Sequence, residues 1–199
     1  MWFDGCGVIA RLCLAILVAT LGVPAWAQPH APDTLFGIRI GQALESQFEQ
    51  CPKNDKGEYD FGYHKGDTPC WKAGGEYYRD VKLPAKVLRD TGAFVQAEAR
   101  ITLREGVVVE IVGEAHHDTW RQAERYMLRH YGKPAETETY ERASRVFGVS
   151  RHRTHKWQGN GVALIFIERA NSDNARMRLY NEVWAVEDAK WREELRNRP

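Results

Sequence analysis

Two histidines and an aspartate stand side by side at His116-His117-Asp118, and their side chains could bind a metal ion or transfer protons. Adjacent side chains on a strand point to opposite faces, so both imidazoles would rarely reach one ion. A simpler interpretation places this segment on the surface, with Asp118 at the start of a helix. We therefore expect no metal site and no bound cofactor.

A basic segment, residues 142–156, contains five Arg or Lys residues and no acid. On an alternating strand Arg151, Arg153 and His155 would share one face. Such a positive face could dock an acidic partner or an anionic headgroup, so these three residues are candidates for partner binding. A solvated hairpin face, paired with the glutamates at 136–141, explains the same charges.

No serine carries the sequence context of an activated nucleophile. Ser46, Ser144, Ser150 and Ser172 lack a Gly-x-Ser-x-Gly frame. The chain also has no Gly-rich phosphate-binding loop, no His-Glu-x-x-His and no calcium-binding loop. The motifs therefore favour a protein without catalytic activity.

The N-terminal segment has the pattern of an export signal. Arg11 precedes an apolar run at 12–23, and Ala-Trp-Ala at 25–27 supplies the small residues that a signal peptidase requires. The run is shorter than the roughly 20 apolar residues of a membrane-spanning helix. We expect a signal peptide at 1–27, a periplasmic or secreted mature chain that begins at Gln28, and no stable membrane insertion after cleavage.

Cys51 and Cys70 are the cysteines of the expected mature chain. Two cysteines in an exported chain most simply form one disulfide. That bond would close a loop of about 20 residues and contribute about 3 kcal/mol in the chain-entropy model. A zinc site is the alternative, but two cysteines without a nearby pair of histidines make a poor tetrahedral ligand set.

Several aromatic residues surround the predicted disulfide loop, among them Tyr63 and Tyr77. Tyrosine, tryptophan and arginine dominate the binding energy of protein interfaces, so exposed aromatic residues here would form a protein-binding patch. Tyr63 and Tyr77 are therefore further candidates for partner binding. Packing in a core explains the same residues without any partner.

Length and charge restrict the domain count and the partners. A chain of 199 residues with a net charge of +1 has no global attraction for nucleic acid or for an anionic membrane. Residues 28–199 suit a single domain that buries a core without a cofactor. The partner class that remains is another protein of the cell envelope.

A hairpin is the clearest β element. Apolar and polar residues alternate over 97–104, Glu105-Gly106 turns the chain, and 107–112 returns, which predicts two strands with one buried face. A second turn is predicted at Gly159-Asn160-Gly161. The other predicted elements are strands near 76–83, 137–149, 152–157, 162–168 and 177–183, and helices at 42–50 and 185–197.

Residues 119–131 predict a helix, with a capping box between Thr119 and Gln122 and a left-handed cap at Gly132. We expect Arg121, Glu124 and Arg125 to stay in water. The spacing of the apolar residues predicts one buried face, formed by Trp120, Ala123, Met127, Leu128 and Tyr131.

Together these elements predict an α+β fold, an antiparallel sheet with helices packed on one face. The two halves also resemble each other, because each runs from a helix through a proline, a loop and a tryptophan to strands. This pattern suggests two duplicated helix-plus-sheet units at 35–115 and 116–199. An α+β protein can produce the same pattern without duplication, so both interpretations stay open.

The phrase Tyr-Gly-Lys-Pro at 131–134, at the end of a helix, is followed by Lys-Trp at 156–157 on a strand. This layout resembles the exported α+β modules of the β-lactamase inhibitory protein type and the small outer-membrane assembly lipoproteins. The chain departs from both, since it lacks a lipid-accepting cysteine and has fewer disulfides than the inhibitor type. The resemblance implies a binding role and carries over no partner-binding residue.

We expect an exported binding protein without catalytic activity, either an envelope adaptor or an inhibitor or immunity-type protein that caps another protein. A small periplasmic hydrolase without a recognisable motif is the first alternative, and an amphiphile- or lipid-binding protein is the second. A deep polar cleft in a protein without partners would favour the enzyme, and an aromatic sheet without a cleft would favour binding.

Overall fold

The computed structural model describes residues 32–60, 64–91, 97–116, 118–144, 148–168 and 174–197. The expected signal peptide at 1–27 and the candidate Tyr63 lie outside these residues. Within the described ranges, no helix is long and apolar enough to cross a membrane.

The described chain combines strands with four helices. In chain order the elements are β1 (Thr34–Leu35), β2 (Ile38–Arg39), α1 (Leu44–Gln47), β3 (Cys70–Trp71), β4 (Tyr78–Lys82), α2 (Ala85–Thr91), β5 (Glu98–Arg104), β6 (Val107–Ala115), α3 (Trp120–Tyr131), β7 (Glu136–Ser144), β8 (Gly148–Gly159), β9 (Val162–Glu168), β10 (Ala175–Asn181) and α4 (Glu182–Arg196).

Eight strands form one sheet in the order β3-β4-β5-β6-β10-β9-β8-β7, and every pair in this sheet is antiparallel. The predicted α+β class with an antiparallel sheet is therefore confirmed. Each half of the chain contributes a four-stranded meander, and the two meanders meet where β6 pairs with β10. Duplication of the two halves stays a prediction.

Two tight turns join neighbouring strands through residues in the left-handed region. Glu105 and Gly106 have φ values of 52° and 78°, and Asn160 and Gly161 have values of 54° and 73°. Two successive positive φ values are typical of a type I′ turn, whose twist matches that of the flanking strands. The predicted turns are confirmed by the β5–β6 and β8–β9 hairpins.

One face of the sheet carries the hydrophobic core. The helices α2 and α3 contact each other and cover this face together with β1 and β2. Because successive strand residues point to opposite faces, the apolar residues alternate along each strand. The buried strand residues include Ala99, Ile101, Leu103, Ile111, Leu164, Phe166, Met177 and Leu179.

The buried face of α3 is narrower than its apolar stripe predicts. Ala123, Met127 and Tyr131 are buried and Trp120 is partly buried, whereas Leu128 is 39% exposed. At about 100° per residue, Leu128 lies about 80° around the helix from Trp120, at the margin of the buried face. The prediction that Leu128 belongs to the buried face is therefore wrong.

The prediction that Glu124 stays in water is wrong. The same helical geometry places it about 40° from Trp120, which is within the buried face. Its side chain is 16% exposed, and its carboxylate lies 2.9 Å from Nε2 of His155. Arg121 and Arg125 are exposed, as predicted.

The predicted capping box of α3 is absent, since the Thr119 side chain makes no capping hydrogen bond. Its hydroxyl donates instead to the carbonyl of His116 at 3.2 Å. The side-chain amide of Gln122 donates to the backbone carbonyl of Arg89 at 2.5 Å, and this hydrogen bond connects α3 to α2. At the other end Gly132 has a φ of 73°, so a positive φ occurs where it was predicted.

The short helices differ from their predicted lengths. The helix expected at 42–50 is only Leu44–Gln47, because the backbone at Phe48 is already extended. The sequence patterns do not predict α2, although Pro84 directly before it is a helix-start signal. The amide of Leu88 donates to the Pro84 carbonyl at 3.2 Å, which forms the first turn of that helix.

The C-terminal helix begins three residues earlier than the predicted 185–197, at Glu182. The side chain of Asn181 accepts a hydrogen bond from the amide of Trp184 at 3.0 Å, and this cap fixes the start. The chain thus passes from β10 into α4 without a loop. This connection places α4 beside the sheet face that α2 and α3 leave uncovered, as its side-chain contacts with that face demonstrate. The prediction that the helices pack on one face therefore holds for α2 and α3 and not for α4.

Candidate functional site

The second face of the sheet is polar at its centre. The strand register aligns Asp80, Arg100, Val112 and Arg178 in one row across β4, β5, β6 and β10. Residues two positions along each strand lie on the same face, so Thr102 and Arg176 join this surface. For the 97–112 hairpin, the sequence pattern predicts only that polar positions such as Arg100 and Thr102 face away from the core.

Helix α4 and a loop turn this polar face into a cleft. Arg104 of β5 forms an ion pair with Glu187 of α4, which anchors the helix to the face. The opposite wall is the segment 72–75 together with Tyr59 and Tyr78. The cleft between these walls has a volume of about 770 Å³.

Positive side chains predominate in this cleft. Its lining contains two carboxylates, Asp80 and Glu110. The cationic side chains in the lining define what we name the basic cleft: Lys72, Arg79, Arg100, Arg176, Arg178 and Arg192.

Glu110 organises the floor of the basic cleft. Its Oε1 lies 2.5 Å from Nε of Arg178, and its Oε2 accepts a hydrogen bond from the Thr102 hydroxyl at 2.7 Å. The Arg178 guanidinium also lies 4.6 Å from the ring centroid of Tyr180. These contacts hold Arg178 in one orientation, because both its charge and its flat face have partners.

Arg192 brings a positive charge from α4 to the cleft. Its Nη2 lies 2.7 Å from Oδ2 of Asp188, one helical turn earlier. The hydrogen bond and charge of Asp188 raise the pKa of Arg192 above its usual value, and the nearby Tyr78 and Glu110 act in the same direction. The guanidinium is therefore charged at neutral pH.

The loop wall is held by Tyr59. Its hydroxyl accepts hydrogen bonds from the Ala73 amide at 2.7 Å and from the Gln50 side chain at 3.1 Å. Desolvation raises the pKa of Tyr59, but these two hydrogen bonds and the charges of Lys53 and Lys72 outweigh it, so its pKa is lowered. The cleft wall is thus connected to the disulfide region by hydrogen bonds.

The predicted disulfide is present. It joins Cys51 and Cys70, which are 19 positions apart and both buried. The Cys51 amide also donates to the Trp71 carbonyl at 2.8 Å. The bond therefore anchors β3, which leads directly into the loop wall of the basic cleft.

Arg176 differs from its neighbours in the basic cleft. Among the buried side-chain nitrogens and oxygens of the described residues, its Nε is the one without a hydrogen-bond partner. Glu114 lies directly opposite it on β6, yet no ion pair joins the two within the described chain. A buried donor without an acceptor is costly, so this position is suited to a ligand that accepts a hydrogen bond.

The candidate residues Arg151 and Arg153 lie on β8, beyond β10 and β9 from the cleft, and on the other face of the sheet. Arg151 is exposed and lies 3.4 Å from Glu141, and Arg153 lies 3.7 Å from Glu124. Both arginines share this face with His155, as the alternation of side chains along a strand predicts. This surface is separate from the basic cleft.

His155 is buried rather than presented to a partner. Its Nε2 lies 2.9 Å from Glu124, and its Nδ1 lies 3.0 Å from the Thr137 hydroxyl. The imidazole also stacks against Phe166, with ring centroids 6.3 Å apart. As a candidate for partner binding, His155 can therefore act only by positioning its neighbours, since its ring lies below the surface.

Tyr77 is 62% exposed and precedes Tyr78 of the cleft wall, but it is not among the residues that line the basic cleft. The candidate Tyr63 lies outside the described residues. The sequence patterns therefore predict none of the residues that line the cleft, its arginines included. The strand arginines of the cleft occupy polar positions in strands where polar and apolar residues alternate, and this is the signal that the sequence contains. Only the order of the strands in the sheet brings β5 and β10 close together.

The histidine pairs do not assemble a metal site in the described chain. No group of three or more His, Cys, Asp or Glu side chains there could hold a metal ion. His152 and His155 point to opposite sides of β8, and Nδ1 of His116 faces Asp118 at 3.4 Å. The neighbouring His117 lies outside the described residues.

Comparison of the chain with protein-family models, with curated proteins and with solved structures finds no match. The geometry offers two positive surfaces, the basic cleft and the exposed arginines of β8, and of these the basic cleft is the concave one.

Proposed function

We propose that this is an exported binding protein without catalytic activity, an adaptor or inhibitor of the cell envelope that holds an acidic segment of a partner protein in the basic cleft. One observation carries the proposal: a concave site of about 770 Å³ is lined by six cationic side chains and only two carboxylates. A cleft with one sign of charge attracts a partner of the opposite sign and raises its association rate.

Several features of the cleft support a protein partner. Its wall carries Tyr78, which is 55% exposed, and the preceding Tyr77 is 62% exposed. Exposed tyrosine next to arginine is the composition typical of residues that dominate protein interfaces. The N-terminal export pattern and the Cys51–Cys70 disulfide support a site of action in an oxidising compartment outside the cytoplasm.

A polar cleft is also the place where a hydrolase would hold its substrate. The chemistry of the lining residues distinguishes a binding protein from a hydrolase. The described lining contains no histidine, cysteine or serine. The Thr102 hydroxyl is already engaged, since it donates to Glu110. The lining therefore supports binding better than nucleophilic catalysis, which needs a nucleophile beside an unengaged base.

Site-specific photo-cross-linking in an exporting host tests this proposal. A photoreactive residue replaces Tyr78 at the cleft, or Leu128 on the exposed side of α3 as the control. We expect a discrete cross-linked protein from position 78 alone. This product should disappear when Arg100→Glu and Arg192→Glu are introduced together, because both arginines line the cleft. Equal capture from both positions, or capture that survives the two reversals, would overturn the proposal.

A further inference from the structure

Most cations of the basic cleft already have a carboxylate partner. Nζ of Lys72 lies 2.6 Å from Oε1 of Glu98, and Nε of Arg178 lies 2.5 Å from Oε1 of Glu110. Nη2 of Arg192 lies 2.7 Å from Oδ2 of Asp188. Arg100 has a looser partner, because its Nε is 3.8 Å from Asp80 and both side chains are largely in water. These four side chains therefore shape the cleft while much of their charge is compensated.

Arg79 and Arg176 are the two cations of the cleft without a carboxylate partner among the described residues. Arg79 is held by its own surroundings, since it donates to the Tyr78 carbonyl at 3.2 Å and lies over the Trp71 ring. Arg176 has neither kind of contact, and its Nε is buried without a hydrogen-bond partner. Arg176 is therefore the residue of the cleft whose charge and hydrogen-bond donor are most available to a ligand.

The sheet places Arg176 beside two other arginines. Arg178 is two residues along β10, on the same face, and Arg100 aligns with it across Val112 of β6. Neighbouring strands are about 4.8 Å apart and same-face residues about 6.8 Å apart along a strand. The small side chain of Val112 thus lies low on the floor, with long guanidinium side chains around it. We name Arg100, Arg176 and Arg178 around Val112 the arginine triad.

We infer that the arginine triad is a carboxylate-binding subsite in which Arg176 receives the side chain of a glutamate or aspartate of the ligand. The inference rests on the proposed function, because it names the chemical group that the basic cleft selects. A guanidinium offers parallel N–H donors that match the two oxygens of a carboxylate. A bound carboxylate would give the buried Arg176 Nε the acceptor that the described chain does not supply.

The charge balance of the subsite favours a single carboxylate over a doubly charged phosphate. Arg100, Arg176 and Arg178 face Asp80 and Glu110, and Glu114 lies opposite Arg176 on β6, so three carboxylates already surround the three positive charges. A monovalent carboxylate adds one negative charge to this set. A dianionic phosphate would add two next to Asp80, Glu110 and Glu114, which is less favourable in a partly desolvated site.

The test is a titration of the mature protein, labelled at the arginine side chains, with tetraglutamate at low ionic strength. We expect the Nε–H resonance of Arg176 to shift saturably with tetraglutamate, while tetraglutamine causes no shift. Inorganic phosphate is expected to bind more weakly than tetraglutamate. Arg176→Gln should weaken the binding of tetraglutamate about ten-fold, because the variant loses a charge-assisted hydrogen bond.

The matched control is Arg125→Gln, which removes one exposed arginine from α3 and should leave the affinity unchanged. If Arg176→Gln fails to fold, Arg176→Lys replaces it, since lysine keeps the charge but cannot present the two-pronged donor. Weaker binding by the folded lysine variant would support the inference. Unchanged affinity for tetraglutamate in the Arg176 variants, or an equal loss of affinity in Arg125→Gln, would overturn it. So would tighter binding of inorganic phosphate than of tetraglutamate, or the absence of any shift in the Arg176 Nε–H resonance.

The two proposals fail in different ways. If cross-linking from position 78 needs the cleft charges but is unaffected by Arg176→Gln, the carboxylate subsite is wrong and the binding function stands. If tetraglutamate binds through Arg176 but no partner is captured in the cleft, the subsite stands and the proposed function fails.

Discussion

At the scale of single residues, Glu124 of α3 contacts two basic side chains of β8. Its carboxylate lies 2.9 Å from the buried His155 and 3.7 Å from Arg153. The other imidazole nitrogen of His155 lies 3.0 Å from the Thr137 hydroxyl. This cluster joins α3 to β7 and β8 through directional contacts.

Truncation of Glu124 should therefore destabilise the fold. We expect Glu124→Ala to lower the free energy of unfolding by about 1–3 kcal/mol, because it leaves a buried His155 nitrogen without its partner. The control Glu138→Ala, at an exposed position of β7, should change it by less than about 0.5 kcal/mol. Urea unfolding of both variants measures the difference. Equal effects would mean that the cluster contributes nothing specific.

Tyr131 makes the fold sensitive to alkaline pH. Burial raises the pKa of its phenol well above the usual value, and Tyr126 and Asp33 act in the same direction. The hydroxyl donates to the Thr34 carbonyl, so ionisation would also break that hydrogen bond. The folded state holds the phenolic proton more tightly than the unfolded state. Its contribution to stability is therefore complete below the unfolded pKa of about 10 and declines as the pH rises above it.

The variant Tyr131→Phe isolates this effect. At neutral pH it should lose about 1 kcal/mol of stability, the typical value of one hydrogen bond. Between about pH 9 and about pH 11 the difference between wild type and variant should shrink, because only the wild type has this phenol to ionise. Urea unfolding across this range measures both quantities. A difference that is constant with pH would contradict the burial of an un-ionised Tyr131.

At the scale of elements, α3 is the helix that covers the core beneath β8 and β9. Met127 and Leu128 are adjacent, yet Met127 is fully buried and Leu128 is 39% exposed. Met127→Ala should therefore cost about 2–5 kcal/mol, whereas Leu128→Ala should cost less than about 1 kcal/mol. Thermal or urea unfolding of the two variants measures the contrast. Similar costs would mean that the helix is rotated relative to this description.

How far the sequence predicts these elements depends on the range of the interactions that form them. The β5–β6 hairpin follows from local alternation and from Glu105-Gly106, and the Cys51–Cys70 bond follows from the cysteine count and the predicted export signal. The capping box is absent because the backbone amide of Gln122 donates to the Thr119 carbonyl at 2.9 Å and not to the Thr119 hydroxyl. The place of Glu124 in the buried face required a partner from β8, which no local pattern specifies.

The basic cleft could not be predicted in the same way, because it is formed by residues that are distant in the sequence. Arg100 and Arg178 belong to different halves of the chain and become neighbours only because β6 pairs with both β5 and β10. Arg192 arrives from α4, whose placement depends on the cap at Asn181. Each arginine alone looks like an ordinary exposed position of a strand or helix.

At the scale of the whole molecule, a net charge of +1 hides an uneven distribution of charge. The basic cleft collects six cationic side chains on one side of the sheet. On the other side, Arg151 and Arg153 of β8 are accompanied by Glu141 and Glu124. Because exposed charges act over a Debye length of about 8 Å in physiological salt, a partner responds to the local surface and not to the total.

The most direct test of the central claim compares two charge reversals of equal size on these two surfaces. One variant carries Arg100→Glu and Arg192→Glu in the basic cleft, and the other carries Arg151→Glu and Arg153→Glu on β8. The measurement is the affinity of each folded protein for a fluorescent glutamate decapeptide, by anisotropy, at low and high salt. We expect the cleft variant to lose at least about ten-fold in affinity at low salt, with a smaller loss at high salt, and the β8 variant to stay within about two-fold of wild type. The opposite pattern would contradict the account, since loss in the β8 variant with retention in the cleft variant would place the binding surface on β8.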